Sequence, residues 1–188
     1  TDGITQFKPY GHTTVVDELT RRPVEPGSGV VGRVALTGRI PQGYHNDPEK
    51  TAASFVEIDG QRWVLTGDMA TVAGDGTITL LGRGSGCINT GGEKVFPEEV
   101  EAVLKAHPSV YDAVVVGTPD DRWGQRVTAV VQPVEGAEVT LEELAEHCRR
   151  DLAGYKVPKS LAVVDQVERS PAGKPDYRWA SGVASSVD

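Results

Sequence analysis

A change of hydrophobic rhythm at Gly82-Arg83-Gly84-Ser85-Gly86 constrains this chain more than any other feature. Before it, from 13 to 81, short apolar runs are separated by turn residues. Val30, Val31, Val34 and Leu36 mark one strand. Phe55-Val56-Glu57-Ile58 and Arg62-Trp63-Val64-Leu65 flank Asp59-Gly60, a pair suited to a two-residue hairpin turn. The runs 69–72 and 77–81 repeat the unit around Gly74-Asp75-Gly76. The spacing predicts an all-β stretch. After the glycines the rhythm alternates. A helix is expected over 97–106, with Pro97 at its first position and Glu98, Glu99 and Glu101 near its positive end. Val100, Val103 and Leu104 share one face, and Pro108 stops it. Strands are expected at 113–116 and 127–131. A second helix opens at Thr140, whose spacing to Glu143 fits a capping box, with Leu141, Leu144, Ala145 and Cys148 facing inward. A last strand covers 161–164, and the tail from 180 to 188 reads as frayed. The second half is therefore a small α+β domain with its own core.

The 188 residues suffice for one domain, or for a small domain plus part of another. A formal net charge of -8 argues against nucleic acid as a partner, because neutralising phosphates requires a basic surface. The two cysteines, Cys87 and Cys148, lack metal-ligand neighbours and read as buried, reduced thiols of an intracellular protein. No apolar run is long enough to span a bilayer, and no basic-then-apolar signal opens the chain. It begins at Thr1 rather than Met, as a piece of a longer protein would.

Four stretches carry candidate chemistry. Thr66-Gly67-Asp68 ends a strand in a polar turn, where a carboxylate can accept from both hydroxyls of a ribose. Taken alone, Asp68 is an ordinary turn residue. Arg83 can fork two donors onto sugar or phosphate oxygens, or make a surface ion pair. Asn89-Thr90-Gly91-Gly92-Glu93-Lys94 allows close backbone approach to a ligand, or is simply a tight turn. It lacks the spacing of a phosphate-binding loop of the Walker type. In Ser170-Pro171-Ala172-Gly173-Lys174-Pro175, Pro175 biases Lys174 toward extended backbone, so its ammonium can be inserted into a cleft.

Singly these signals are weak. In this order, joined by Val95-Phe96-Pro97-Glu98-Glu99-Val100-Glu101 and Gly154-Tyr155-Lys156-Val157-Pro158, they resemble the adenylate-forming superfamily. Gly32-Arg33-Val34-Ala35 and Gly43-Tyr44 extend the resemblance over nearly the whole chain. Ile88-Asn89-Thr90 through Pro97, with Asp121-Arg122-Trp123-Gly124, looks most like fatty-acyl or sterol-side-chain CoA ligases of actinobacteria.

The resemblance implies a β-rich, barrel-like remnant of a large AMP-binding domain (1–82), a hinge (83–86) and a small, mobile, three-layer-like α+β domain (87–188). It implies ATP-driven activation of a fatty or sterol-derived carboxylic acid to an acyl-adenylate, then thioester formation with coenzyme A, with magnesium accompanying the ATP. Asp68 and Arg83 would hold the ribose. Lys174 would touch acyl and α-phosphate oxygens, acting electrostatically. Gly91 and Gly92 would line the pantetheine path, with Lys94 and Lys156 as weaker contacts for coenzyme A or phosphate. Ser85 falls at the hinge position, where the family more often has Asp or Lys, which puts any charge role there in doubt. The family's Ser/Thr/Gly-rich phosphate loop ending in Pro-Lys does not occur in these residues, so the chain alone is expected to be inactive. The implied location is cytoplasmic or membrane-peripheral. Two other readings remain open: loading of a carrier protein in place of coenzyme A, and a stand-alone non-catalytic module derived from the family.

Overall fold

The computed structural model describes residues 5–187 and divides into two compact units, 1–85 and 86–188. In the first unit the strands are β1 (Gln6–Phe7), β2 (Thr13–Val16), β3 (Gly32–Leu36), β4 (Phe55–Ile58), β5 (Gln61–Val72) and β6 (Ile78–Arg83). They form one antiparallel sheet in the order β1-β6-β5-β3-β2, with β4 also paired to β5. Among the described residues the outer strands β1 and β2 do not pair with each other, so the path stays open. Asp59 and Gly60 both adopt positive φ, 52° and 75°, as the two-residue turn between β4 and β5 requires. Val15, Val34, Ala70 and Ile78 pack on one face of the sheet, while Val16, Ala35 and Leu65 pack on the other.

The unit is not purely β. Helix α1 (Pro48–Ser54) interrupts it. Asp47 accepts from the Lys50 amide at 2.8 Å and Pro48 fills the first position, so local capping outweighs the β character of the flanks. A second departure concerns Asp68. The expected polar turn is instead a bulge inside one continuous strand. Arg33 pairs with Met69 and Ala35 with Leu65, which is two steps on β3 against four on β5. The Thr66-Gly67-Asp68 stretch takes up the excess, and the Arg33 Nε donates to the Thr66 carbonyl at 3.0 Å. The strand continues because Met69 and Ala70 are buried beyond the bulge.

The second unit contains β7 (Ile88–Thr90), β8 (Glu93–Val95), α2 (Pro97–Lys105), β9 (Val110–Asp120), β10 (Gly124–Pro133), α3 (Leu141–Cys148), β11 (Ser160–Val163) and α4 (Tyr177–Ala184). β9 and β10 form a long antiparallel ribbon, and β11 adds to β10 in parallel. Alternate residues face opposite layers. Ala113, Val115, Val127, Ala129 and Val131 pack with α2 and α3, whereas Val114, Val116 and Val130 pack with Ala180 and Ala184 of α4. This two-sided burial explains the unbroken apolar run 113–116 and makes the unit three-layered.

Helix α4 replaces the expected frayed tail. Asp176 accepts from the Arg178 and Trp179 amides, each at 3.0 Å. Ala180 and Ala184, four residues apart, are 0% and 2% exposed against the sheet. Small residues permit close approach but leave little hydrophobic signal in the sequence. Cys148 is buried as expected, whereas Cys87 is only half-buried.

Candidate functional site

Apart from Lys156, the candidate residues fall on three short structures, one in the first unit and two in the second. In the first, Asp68 and Arg83 are register partners on β5 and β6, with the Arg83 Nε 3.4 Å from the Asp68 Oδ1. The Thr66 hydroxyl accepts from the Asp68 amide at 3.2 Å and braces the bulge. Both charged side chains remain accessible, 42% for Asp68 and 73% for Arg83. An ion pair this exposed is worth under about 1 kcal/mol. Arg83 leads into a 3-10 turn at Gly84–Gly86. Ser85 lies in that turn, and its side chain falls outside the described part.

In the second unit, Gly91 and Gly92 form the turn of the β7–β8 hairpin at φ 60° and 88°. Backbone approach is close here. A Cβ on Gly91 would sit 2.7 Å from the Trp123 ring, and the Gly91 amide donates to the Trp123 carbonyl at 2.9 Å. Trp123 remains 47% exposed, with the Arg122 guanidinium 4.6 Å from its ring. Lys94 stands exposed on β8 of the same hairpin.

Lys156 does not join them as an available cation. Its Nζ lies 2.7 Å from both carboxylate oxygens of Glu99, with side-chain exposures of only 18% and 14%. The pair ties the 3-10 turn Gly154–Lys156 to α2, so the charge expected for coenzyme A or phosphate is spent internally.

Lys174 closes a tight loop. The Ser170 amide donates to the Lys174 carbonyl at 2.8 Å, the Gly173 amide to the Ser170 carbonyl at 2.8 Å, and the Lys174 amide to the Ser170 hydroxyl at 3.2 Å. Below the loop, the Asp176 amide donates to the Glu168 carbonyl at 3.1 Å. Arg169 forks onto Asp112 at the start of β9, with Nε and Nη2 each 2.7 Å from a carboxylate oxygen. Burial works against the Asp112 charge. The Arg169 guanidinium and the Ala113 amide outweigh it and hold the carboxyl below its ordinary range.

The two structures of the second unit lie at opposite ends of the β9–β10 ribbon. The Lys174 loop is fixed to Asp112, and the glycine hairpin is fixed beside Trp123, just past Asp120. The eight residue steps from Asp112 to Asp120 span roughly 26 Å of strand. Arg169 and Asp112 carry no local signal of this role, because they meet across a separation of 57 residues. Trp123 belongs to a recognisable stretch, but its packing on Gly91 does not follow from sequence.

Residues 99–174 match the family described as AMP-binding enzyme C-terminal domain. The chain is 58% identical over 170 residues to the medium/long-chain-fatty-acid/3-oxocholest-4-en-26-oate CoA ligase of Mycolicibacterium smegmatis, covering 90% of this chain and 31% of that protein. It is 59% identical over 168 residues to the 3-oxocholest-4-en-26-oate CoA ligase of Rhodococcus rhodochrous, covering 89% and 30%. Among solved structures it is similar to ATP-bound MatB from Rhodopseudomonas palustris, with a TM-score of 0.77 and 29% identity over 96% of this chain and 35% of that one. It is also similar to the o-succinylbenzoate CoA synthetase of Bacillus subtilis in complex with its acyl-adenylate, with a TM-score of 0.72 and 31% identity over 89% and 33%. The chain thus spans about a third of the length of the curated relatives it matches.

Proposed function

We propose that this chain is a carboxy-terminal portion of an adenylate-forming enzyme and serves an ATP-dependent acyl-CoA ligase, a reading supported by the match of residues 99–174 to the AMP-binding enzyme C-terminal domain family and by the likeness to CoA ligases. The acid is of the fatty or sterol-side-chain kind named for the relatives. In the first step a carboxylate oxygen attacks the α-phosphorus of ATP, and pyrophosphate leaves with its bonding electrons. In the second, the sulfur of coenzyme A attacks the acyl carbon, AMP leaves, and the thiol proton passes to solvent or base.

The observation that carries this reading is the separation of two polar tips on one rigid ribbon. A single reaction centre cannot meet the Lys174 loop and the Gly91-Gly92 hairpin at once when their anchor points, Asp112 and the Asp120 end of the strand, lie roughly 26 Å apart. A sequence of two reactions can use them in turn, with the turn at 83–86 as the joint between 1–82 and 87–188. Asp68 and Arg83 hold the ribose through both steps. The Lys174 ammonium offsets negative charge building on the acyl and α-phosphate oxygens during adenylation. Gly91 and Gly92, lacking side chains, leave room for the pantetheine arm, and Lys94 supplies positive charge beside it. Magnesium would travel with the triphosphate. The described residues gather no cluster of three or more His, Cys, Asp or Glu side chains that could hold a metal ion. No helix among the described residues is long and apolar enough to cross a membrane.

In a complete ligase carrying this chain, Lys174→Ala should slow acyl-adenylate formation by on the order of 10²–10³-fold. Thioester formation from supplied acyl-adenylate should persist. Equal loss of both half-reactions, or of neither, would overturn the assignment. The 188-residue chain alone is expected to release no AMP from ATP, acid and coenzyme A.

A further inference from the structure

The Lys174 loop is better anchored than an exposed loop near a chain's end needs to be, and all of its anchors converge on one strand end. Gln132, the register partner of Asp112 on β10, accepts from the Val167 amide through its Oε1 at 3.0 Å. Two residues on, Arg169 presents its fork to Asp112 and donates from Nη1 to the Gly173 carbonyl at 2.9 Å. Gly173 immediately precedes Lys174 and holds φ 77°. One guanidinium therefore bonds both the rigid ribbon and the backbone next to the lysine. Asp112 is the better buried partner, its side chain 13% exposed against 30% for Arg169, and it also accepts from the Ala113 amide at 2.8 Å. Burial and a third donor fix the carboxylate, the carboxylate fixes the guanidinium, and the guanidinium fixes the loop. A lysine ammonium on four flexible methylenes has no such restraint of its own.

We propose that Asp112 and Arg169 are positioning residues for adenylation, acting through Lys174 by clamping its loop to the end of the β9–β10 ribbon. The proposal rests on the reading of Lys174 given above. It deepens that reading by naming what holds the lysine in reach of the reacting oxygens. Lysine in place of Arg169 keeps the charge but loses the planar fork that spans the carboxylate and the Gly173 carbonyl. The clamp therefore depends on guanidinium geometry rather than on charge.

The test uses a complete ligase carrying this chain and four variants: Arg169→Lys, Asp112→Asn, Lys174→Ala and the double variant Arg169→Lys/Lys174→Ala. Adenylation is read by pyrophosphate exchange, and thioester formation by turnover of supplied acyl-adenylate with coenzyme A. Arg169→Lys and Asp112→Asn should each lower the kcat of adenylation by about tenfold to a hundredfold, the range expected for an ångström of misplacement, with the KM for ATP nearly unchanged. Thioester formation should stay within twofold of the parent. The double variant should adenylate no more slowly than Lys174→Ala alone, because a residue that acts through the lysine has nothing left to act on. Three results would overturn the clamp: normal adenylation in Arg169→Lys and Asp112→Asn, parallel loss of both half-reactions, or additive loss in the double variant. Parallel loss would mean general destabilisation. Normal adenylation in Lys174→Ala would instead remove the parent reading, which separates the two failures.

Discussion

Gly91 shows how much one missing side chain can decide. Its φ of 60° is one that residues with a Cβ adopt at a cost of about 1–2 kcal/mol. The space a methyl would take is held by the Trp123 ring, 2.7 Å from the ideal Cβ. Gly91→Ala must therefore strain the turn and push the indole aside. The expected outcome is a loss of about 1–2 kcal/mol in urea unfolding, with thioester formation from supplied acyl-adenylate reduced and adenylation retained. Intact thioester formation would count against a pantetheine path over this hairpin. The glycine pair and its turn are legible from sequence, because few residues tolerate those angles. The tryptophan stacked upon it is not, since a contact between positions 91 and 123 depends on how β7 meets β10. Lys156 has a tertiary partner that the sequence does not announce. A lysine between Tyr155 and Val157 has no sequence mark that distinguishes a ligand contact from an internal pair with Glu99, and the fold supplies the pair.

At the scale of elements, helix α2 does more than cover the core. Among the described residues β9 pairs only with β10, which leaves amides on its other edge without a strand partner. Glu101 on α2, 4% exposed, accepts from the Val115 amide at 2.9 Å and so covers that edge. Burial first, with the Glu98 charge adding to it, raises the Glu101 carboxyl to about 7, against lowering by the Val115 amide, Lys105 and Tyr177. The folded state thus prefers the protonated acid. Its advantage is complete at acidic pH, declines as pH rises past the unfolded value near 4.5, and is gone above about 7. Glu101→Gln keeps an acceptor for Val115 and removes the titration. Relative to the parent chain, it should gain at most roughly 3 kcal/mol between pH 4 and pH 8 in urea unfolding. A difference independent of pH would show that Glu101 does not titrate in this window. Other elements teach a similar lesson. The expected capping box at α3 is half formed: Thr140 accepts from the Glu143 amide at 3.3 Å, while the Glu143 carboxylate turns 3.4 Å from the His107 Nε2. The Thr-x-x-Glu spacing fixes the start of the helix, but a partner from the loop after α2 takes the glutamate.

At the scale of the whole molecule, the two units have separate cores. The clusters of the second unit lie entirely within residues 88–184, and those of the first within residues 7–80. Residues 86–188 expressed alone should therefore give a dispersed amide spectrum and a cooperative urea transition. A collapsed spectrum would mean that the second core needs the first unit. The periodicity of apolar residues and the turn chemistry of Asp59-Gly60, Gly91-Gly92 and Pro97 determined most elements and the change from β to mixed structure. Those signals are local and are written by backbone sterics. Order and spacing of short motifs likewise determined the family resemblance. Tertiary structure alone decided that Thr66–Asp68 bulges within a strand, that the tail packs as α4, that Glu99 neutralises Lys156, and that Asp112 and Arg169 meet beneath Lys174. Each of these depends on partners far apart in the chain. The free energy of a buried charge or a close backbone approach is set by which surfaces come together, and no local pattern of residues encodes that.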